Sequence, residues 1–294
     1  MRITGRTTVV GVFGYPVGHS LSPPMWNAAF EHDGLDWCYV PFAVAAEDVE
    51  RALRALPALG MAGVNLTIPL KERALRVVDE VIPPADLVGA VNTVLCREGR
   101  LIGYNTDVEG FTISLLERGE DLSGATVAVL GAGGAARAAV VALAQMGAAR
   151  IWVIARRLEQ GAPTAELARQ AAPGVQGAAI AWTEESLRAA IPKVDALVNA
   201  TPIGMHPHHD EPPPIPHDLL HPGTLVYDMV YNPAVTRLLA SAQERGCRVV
   251  GGRRMLVLQG AAAYAIWTGH PAPVEVMHRA LAQALEGAAE PRGG

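Results

Sequence analysis

The sequence predicts an α/β protein built from two α/β domains. Strand-like and helix-like stretches alternate along nearly the whole chain, the pattern of mostly parallel sheets covered by helices on both faces. The chain has 294 residues, against the roughly 100–200 of a typical domain. Half of the residues are apolar and 18% charged, so a chain of this length can bury a core without disulfides or metals.

The elements follow in order. Thr7–Gly14 is a β-branched run. Ser22-Pro23 opens a helix, with Ser22 as N-cap and Pro23 at the first helical position, where its missing N–H is not needed. Trp37–Val44 reads as a strand, and Glu47–Leu59 as an amphipathic helix with Val49, Leu53 and Leu56 on one face. Ala62–Thr67 is a strand, after which Pro69 opens another helix. Thr93–Cys96 and Leu101–Tyr104, joined through Glu98-Gly99, form a hairpin. The βαβ rhythm resumes with strand Thr126–Leu130, helix Ala135–Met146 and strand Ile151–Ala155. Asp195–Asn199 and Thr224–Asp228 are further strands, and helices Met255–Thr268 and Val274–Leu285 close the chain. The run Asp107–Arg118 joins the two units, and the proline- and histidine-rich Pro207–Pro222 is an irregular surface loop.

Composition excludes several classes. A net charge of −5 argues against nucleic acid as a partner, since phosphate binding favours a basic face. High apolar content argues against disorder. Cys38, Cys96 and Cys247 are too few and scattered for a disulfide framework or a zinc site, and suit a reducing cytoplasm. The apolar run in Met1–Gly14 is far shorter than a membrane span, and no cleavage site follows it. The histidine cluster Met205–Glu211 carries prolines and presents no i, i+4 ligand pair, so no metal is expected there.

Gly131-Ala132-Gly133-Gly134-Ala135-Ala136 follows a buried-type strand and opens an alanine-rich helix. It fits G-x-G-x-x-A in the strand–turn–helix context that a dinucleotide pyrophosphate needs: a tight turn, unobstructed backbone and free N–H groups at the helix start. A tight turn that merely packs helix on strand is the simpler alternative. The next strand ends Ala155-Arg156-Arg157, with no acid until Glu159. Two guanidiniums suit a 2′-phosphate, which favours NADP over NAD; two solvated arginines are the alternative.

In the N-terminal half, Ser20 and Ser22 lie beside a helix start, where two hydroxyls either cap the helix or bind a carboxylate. Asn65-Leu66-Thr67-Ile68-Pro69-Leu70-Lys71 ends a strand in a polar cluster and places Lys71 in a first helical turn. The dipole there disfavours a cation, which suits a lysine that gives up its proton, although exposed first-turn lysines are common. Asn92 precedes the hairpin. Thr106 and Glu109 make a capping box around Asp107, which structure alone explains. The coincidence of Lys71, Asn92 and Asp107 at element ends in one half suggests a site.

From about Gly11 to Leu285 the chain resembles the shikimate dehydrogenase family, which includes shikimate/quinate enzymes. The ordered motifs are Ser-x-Ser-Pro at 20–23, Asn-x-Thr-x-Pro-x-Lys at 65–71, Gly-Ala-Val-Asn-Thr at 89–93 and Asn-Thr-Asp at 105–107. Gly-Ala-Gly-Gly at 131–134, Asn-Ala-Thr-Pro-Ile-Gly-Met at 199–205, Tyr-Asp-Met-Val-Tyr-Asn-Pro at 227–233 and Gln259 complete the series. The resemblance implies a substrate domain of residues 1–107 plus 251–294, a Rossmann-type NADP domain of 108–250, and a cleft between them. It implies that Ser20 and Ser22, with Tyr231, hold the substrate carboxylate. Asn65, Thr67, Lys71, Asn92, Asp107 and Gln259 would surround the ring hydroxyls and reacting oxygen, with Lys71 and Asp107 as the catalytic pair. Gly131, Ala132, Gly133, Gly134 and Ala135, then Ala155, Arg156 and Arg157, would hold the coenzyme. Asn199, Ala200, Thr201, Met229 and Gly252 would line its nicotinamide.

The implied reaction is the reversible, NADP-dependent reduction of 3-dehydroshikimate to shikimate on the route to chorismate and aromatic amino acids. Where the family commonly has Asn-Arg-Thr, this chain has Ala155-Arg156-Arg157, which leaves tolerance of NAD open. Relatives acting on quinate or aminoshikimate share most of the signature; Ser22 leans toward shikimate. A ligand-sensing protein without turnover is a reading of another class, and the intact Lys71 and Asp107 argue against it. Methylene-tetrahydrofolate dehydrogenases share the two-domain plan, but Ser-x-Ser-Pro disfavours them. Either a monomer or a homodimer fits.

Overall fold

A computed structural model describes residues 3–67, 69–206 and 209–289. The chain divides into two compact units, Met1–Thr106 with Val257–Gly294, and Asp107–Leu256.

The first unit begins β1 (Thr8–Gly14), α1 (Ser22–His32), β2 (Trp37–Ala43), α2 (Val49–Ala55), β3 (Gly63–Leu66) and α3 (Lys71–Ala74). It continues with β4 (Glu80–Val81), α4 (Ala85–Val88), β5 (Thr93–Arg97) and β6 (Arg100–Tyr104). Its sheet has the order β2-β1-β3-β5-β6-β4. β1 pairs parallel with β2 and β3, and β4 with β6, whereas β5 runs antiparallel to both its neighbours. The antiparallel strand follows from the hairpin, whose turn residues Glu98 (φ 53°) and Gly99 (φ 77°) are both left-handed, the twist that suits adjacent antiparallel strands.

Three local expectations are corrected. The helix expected over 47–59 is a short 3₁₀ turn, Ala46–Asp48, followed by α2, which stops at Ala55. Leu56 keeps helical backbone, but Pro57 after it has no N–H to donate to the Leu53 carbonyl, so the hydrogen-bond ladder stops there. Pro69 does not open a helix; α3 starts at Lys71 and is only 4 residues long, so its dipole is small. Ser22 is the first residue of α1 and not its N-cap, which is Leu21, and no side chain caps the helix. With the helix starting at Ser22, Pro23 and Pro24 take its second and third positions, so neither offers an N–H to a cap at position 21.

An aromatic cluster closes one face of this sheet. Trp26, fully buried, stacks on Tyr39 with ring centroids 5.0 Å apart and meets Trp267 at 4.8 Å. Tyr264 and Trp267 come from α10 (Arg253–Thr268), and α11 (Val274–Ala289) follows it in the chain. Gly63 is the strand position that lets Trp267 in: a Cβ there would collide with the indole and with Val94. The indole N–H then reaches the Val94 carbonyl at 3.1 Å, tying the last helices to the sheet. Each such ring pair adds about 1 kcal/mol beyond its buried area.

The second unit contains α5 (Asp107–Leu116), β7 (Thr126–Leu130), α6 (Gly134–Gln145), β8 (Arg150–Ala155), α7 (Leu158–Ala171) and β9 (Gln176–Ala181). α8 (Glu184–Ala190), β10 (Ala196–Asn199), β11 (Leu225–Asp228), α9 (Arg237–Glu244) and β12 (Arg248–Gly251) complete it. The strand order is β12-β11-β10-β7-β8-β9, parallel throughout. From β7 the chain winds one way to β8 and β9, then crosses to β10 and winds the other way. The switch point lies between β7 and β10, where open α/β sheets bind ligands at the strand ends. α6 is alanine-rich and buried from Ala138 to Ala144, which brings helix and sheet close behind that point. Among the described residues, no helix is long and apolar enough to cross a membrane.

Candidate active site

Strand register gathers the polar side chains of the first unit. Asn65 at the end of β3 lies opposite Thr93 at the start of β5, and Thr93 opposite Tyr104 at the end of β6. Because β5 is antiparallel, its beginning and the ends of β3 and β6 share one edge of the sheet. β1 ends on the same edge, and the Thr67 N–H donates to its Phe13 carbonyl at 3.0 Å. Main-chain bonds fix the rest: Leu66 N–H to Asn92 O at 2.7 Å, Asn92 N–H to Tyr104 O at 3.0 Å, and Val91 N–H to Lys71 O at 2.9 Å. The last of these places the Lys71 backbone beside Asn92.

The side chains on this edge form a buried network. The Thr106 N–H donates to Asn92 Oδ1 at 2.8 Å, and Asn92 Nδ2 donates to the Thr106 hydroxyl at 3.0 Å. The Thr93 hydroxyl donates to Asn92 Oδ1 at 3.0 Å and accepts from Asn65 Nδ2 at 2.9 Å. Tyr39 donates its phenol proton to Asn65 Oδ1 at 2.8 Å. Burial pushes the Tyr39 phenol well above its ordinary range, opposed by a hydrogen bond from Ser22. The Ser20 hydroxyl accepts from the Ser22 N–H at 3.3 Å, so the two serines are coupled at the helix start. Ser20, Ser22, Asn65, Thr67, Lys71, Asn92 and Gln259 all belong to this unit, Gln259 through α10. Asp107, which is 6% exposed and follows Thr106 directly, and Tyr231 belong to the second unit.

In the second unit the glycine turn sits between β7 and α6. Gly131 has φ +104°, a conformation open only to glycine, and a Cβ there would lie 3.0 Å from the Thr201 methyl. Gly133 is the N-cap of α6; no side chain caps that helix, and a Cβ on Gly133 would meet nothing within 4 Å. Gly134 and Ala135 begin α6, so the amides of its first turn are available to a phosphate. The Thr164 hydroxyl of α7 donates to the Ala132 carbonyl at 3.2 Å and holds the turn in place. Ala155 is buried at the end of β8, and Arg156 and Arg157 are exposed beyond it. The arrangement fits a dinucleotide carrying an extra phosphate.

The ends of β10 and β11 are locked through side chains. Asn199 Oδ1 accepts from the Thr201 N–H (3.1 Å) and hydroxyl (2.7 Å), while its Nδ2 donates to Asp228 at 2.9 Å. Asp228, fully buried, also accepts from Val230 N–H at 3.0 Å and the Thr236 hydroxyl at 2.6 Å. Burial raises its carboxyl to about 6, against the pull of these three donors. Ala200 N–H donates to Leu130 O, and Met229 N–H to Asn199 O, so the candidate nicotinamide-lining residues are stitched to neighbouring strands. Gly252 N–H donates to Val230 O at 3.2 Å, and Arg253 Nε to Tyr231 O at 3.1 Å.

Tyr39, Thr93, Thr106 and Asp228 were not among the expected site residues. A carboxylate ending the apolar run Leu225-Val226-Tyr227, inside the motif at 227–233, was the available signal for Asp228. Among the described residues, no group of three or more His, Cys, Asp or Glu is placed to hold a metal ion. Pro207 and His208 of the histidine cluster lie outside the described residues.

Known proteins match over nearly the full length. Residues 12–94 match the family model described as the shikimate dehydrogenase substrate binding domain. Residues 252–282 match that of the shikimate 5′-dehydrogenase C-terminal domain. A protein of Methanothermobacter thermautotrophicus named shikimate dehydrogenase (NADP(+)) is 44% identical over 283 residues, 96% of this chain and 99% of that protein. A crystal structure of a shikimate dehydrogenase in complex with NADP+ superposes with TM-score 0.90 at 36% identity, covering 97% of this chain and 98% of that one. The Listeria monocytogenes shikimate 5-dehydrogenase, solved in complex with shikimate and NAD, gives TM-score 0.87 at 35% identity, covering 96% and 98%.

Proposed function

The chain belongs to the shikimate dehydrogenase family, and on that premise we propose that it reversibly reduces 3-dehydroshikimate to shikimate with NADPH. It thereby serves the route to chorismate and the aromatic amino acids. The observation that carries this reading is the meeting of Asn65, Asn92 and the Lys71 backbone on one sheet edge, in a chain whose second unit has an uncapped helix behind a glycine turn.

When bound, the coenzyme supplies the hydride. Lys71 gives a proton to the carbonyl oxygen as it becomes an alkoxide, and Asp107, at the start of α5, serves as its carboxylate partner. Ser20 and Ser22, with Tyr231, hold the substrate carboxylate; Asn65, Thr67, Asn92 and Gln259 hold ring hydroxyls. A positioned proton donor of this kind contributes ~10²–10⁴-fold. First-turn amides of α6 hold the pyrophosphate, and Arg156 with Arg157 takes the 2′-phosphate through charge-assisted bonds. The three cysteines among the described residues are free thiols, in keeping with a cytoplasmic setting.

The test is a spectrophotometric panel of shikimate and quinate, each with NADP+ and NAD+. Shikimate with NADP+ is expected to give the highest kcat/KM. Preference for quinate, or ligand binding with no change in coenzyme absorbance, would overturn the assignment.

A further inference from the structure

The buried network of the first unit has a direction that can be traced from one unambiguous donor. The Thr106 main-chain N–H can only donate, so the atom it meets at 2.8 Å is Asn92 Oδ1. That orientation turns Asn92 Nδ2 toward the Thr106 hydroxyl. The Thr93 hydroxyl lies 3.0 Å from Asn92 Oδ1 and 3.4 Å from the Thr106 hydroxyl, and it accepts from Asn65 Nδ2 at 2.9 Å. Asn65 Oδ1 therefore faces Tyr39, and the phenol donates to it at 2.8 Å. With the Asn65 amide turned over, Oδ1 would face the Asn92 main-chain carbonyl, and two atoms that can only accept would meet.

Asn65 Nδ2 also lies 3.4 Å from the Asn92 carbonyl. The capacity remaining on this amide is the second lone pair of Oδ1, an acceptor for a ligand hydroxyl. Tyr39 cannot drift from its partner. Its ring stacks on Trp26 at an interplanar angle of 14°, and its backbone is held on both sides by Asn27, at 3.1 and 2.8 Å. At 2% exposure no water replaces its proton easily.

We propose that Tyr39 is a positioning residue of the substrate site, orienting the Asn65 amide so that Oδ1 accepts from a substrate hydroxyl. It does not touch the substrate; it acts through Asn65. This rests on the function proposed above, so wild-type turnover of shikimate with NADP+ is measured first, and its absence counts against that function alone.

The variant is Tyr39→Phe in the full chain, which keeps the stacked ring and removes only the hydroxyl. KM and Kd for shikimate are expected to rise roughly five- to tenfold, the order of one buried hydrogen bond. KM for NADP+ stays at its wild-type value and kcat changes less than about threefold. Phe30→Leu is the control: Phe30 packs on Trp26 and Tyr264 in the same cluster and leaves the phenol in place. It is expected to lower Tm without moving the shikimate KM. An unchanged shikimate KM in Tyr39→Phe, or equal rises in Tyr39→Phe and Phe30→Leu, overturns the proposal.

Discussion

The side-chain amide of Asn199 donates to the Asp228 carboxylate at 2.9 Å, joining the ends of two adjacent parallel strands through side chains. Asp228 takes two further donors, from Val230 and Thr236, and the Thr236 hydroxyl in turn accepts the Leu239 N–H to cap α9. One carboxylate thus fixes the turn after β10, the segment after β11 and the start of a helix.

Its titration has a definite sign. Burial raises the folded-state value to about 6 from an ordinary 3.8, so between these values the folded chain binds more protons than the unfolded one. The contribution of this group to stability is then fully present below about pH 4 and is lost as pH rises through about 6, a change on the order of 3 kcal/mol. Urea unfolding of wild type and Asp228→Asn between pH 4 and 7 checks this. The wild-type midpoint should fall more steeply with pH than that of the variant, and parallel curves would refute it.

Lys71→Ala should lower kcat by about 10²–10⁴-fold, the usual contribution of a positioned general acid, while the KM for shikimate changes little. Steady-state kinetics in the direction of shikimate oxidation measure both. A near-normal kcat would remove Lys71 from the mechanism.

Replacing Arg156 and Arg157 together by alanine should raise the KM for NADP+ by roughly ten- to a hundredfold, the scale of one or two charge-assisted hydrogen bonds. The KM for NAD+, which lacks the 2′-phosphate, should hardly move. Parallel kinetics with both coenzymes read the ratio directly, and equal effects would show that the pair does not select the phosphate.

Gly131→Ala should destabilise the chain by about 1–3 kcal/mol, because φ +104° is closed to alanine and its methyl would press on Thr201. Thermal unfolding measures the loss, and a Tm equal to wild type would contradict the strained turn. The KM for NADP+ should rise in the same variant, since the turn aims the first amides of α6.

Local features were the legible ones. Gly131-Ala132-Gly133-Gly134 could be recognised because strand, turn and helix start are contiguous in the chain, and Glu98-Gly99 because a two-residue turn determines its own hairpin. Lys71 and Asn92 stood out as polar residues at element ends. Ser22 misled because the helix begins one residue earlier than its capping pattern suggests, which makes it the first helical residue. The helix over 47–59 was read too long because apolar periodicity outran the stop at Pro57. Tyr39 and Asp228 could not be found this way, since their meaning lies in partners 26 residues away at Asn65 and 29 away at Asn199.

The alternation of strands and helices over much of the chain, and the glycine turn itself, were legible in the sequence alone, because backbone propensity and periodicity act over a few neighbouring residues; β4, α4, α7, β9, α8, α9 and β12 were not assigned from it. Tertiary structure decided the sheet order, the antiparallel insertion of β5, and which buried donors face which acceptors. Those depend on the register between strands distant in the chain: it sets Asn65 opposite Thr93, and only after that is the orientation of the Asn65 amide along the edge fixed.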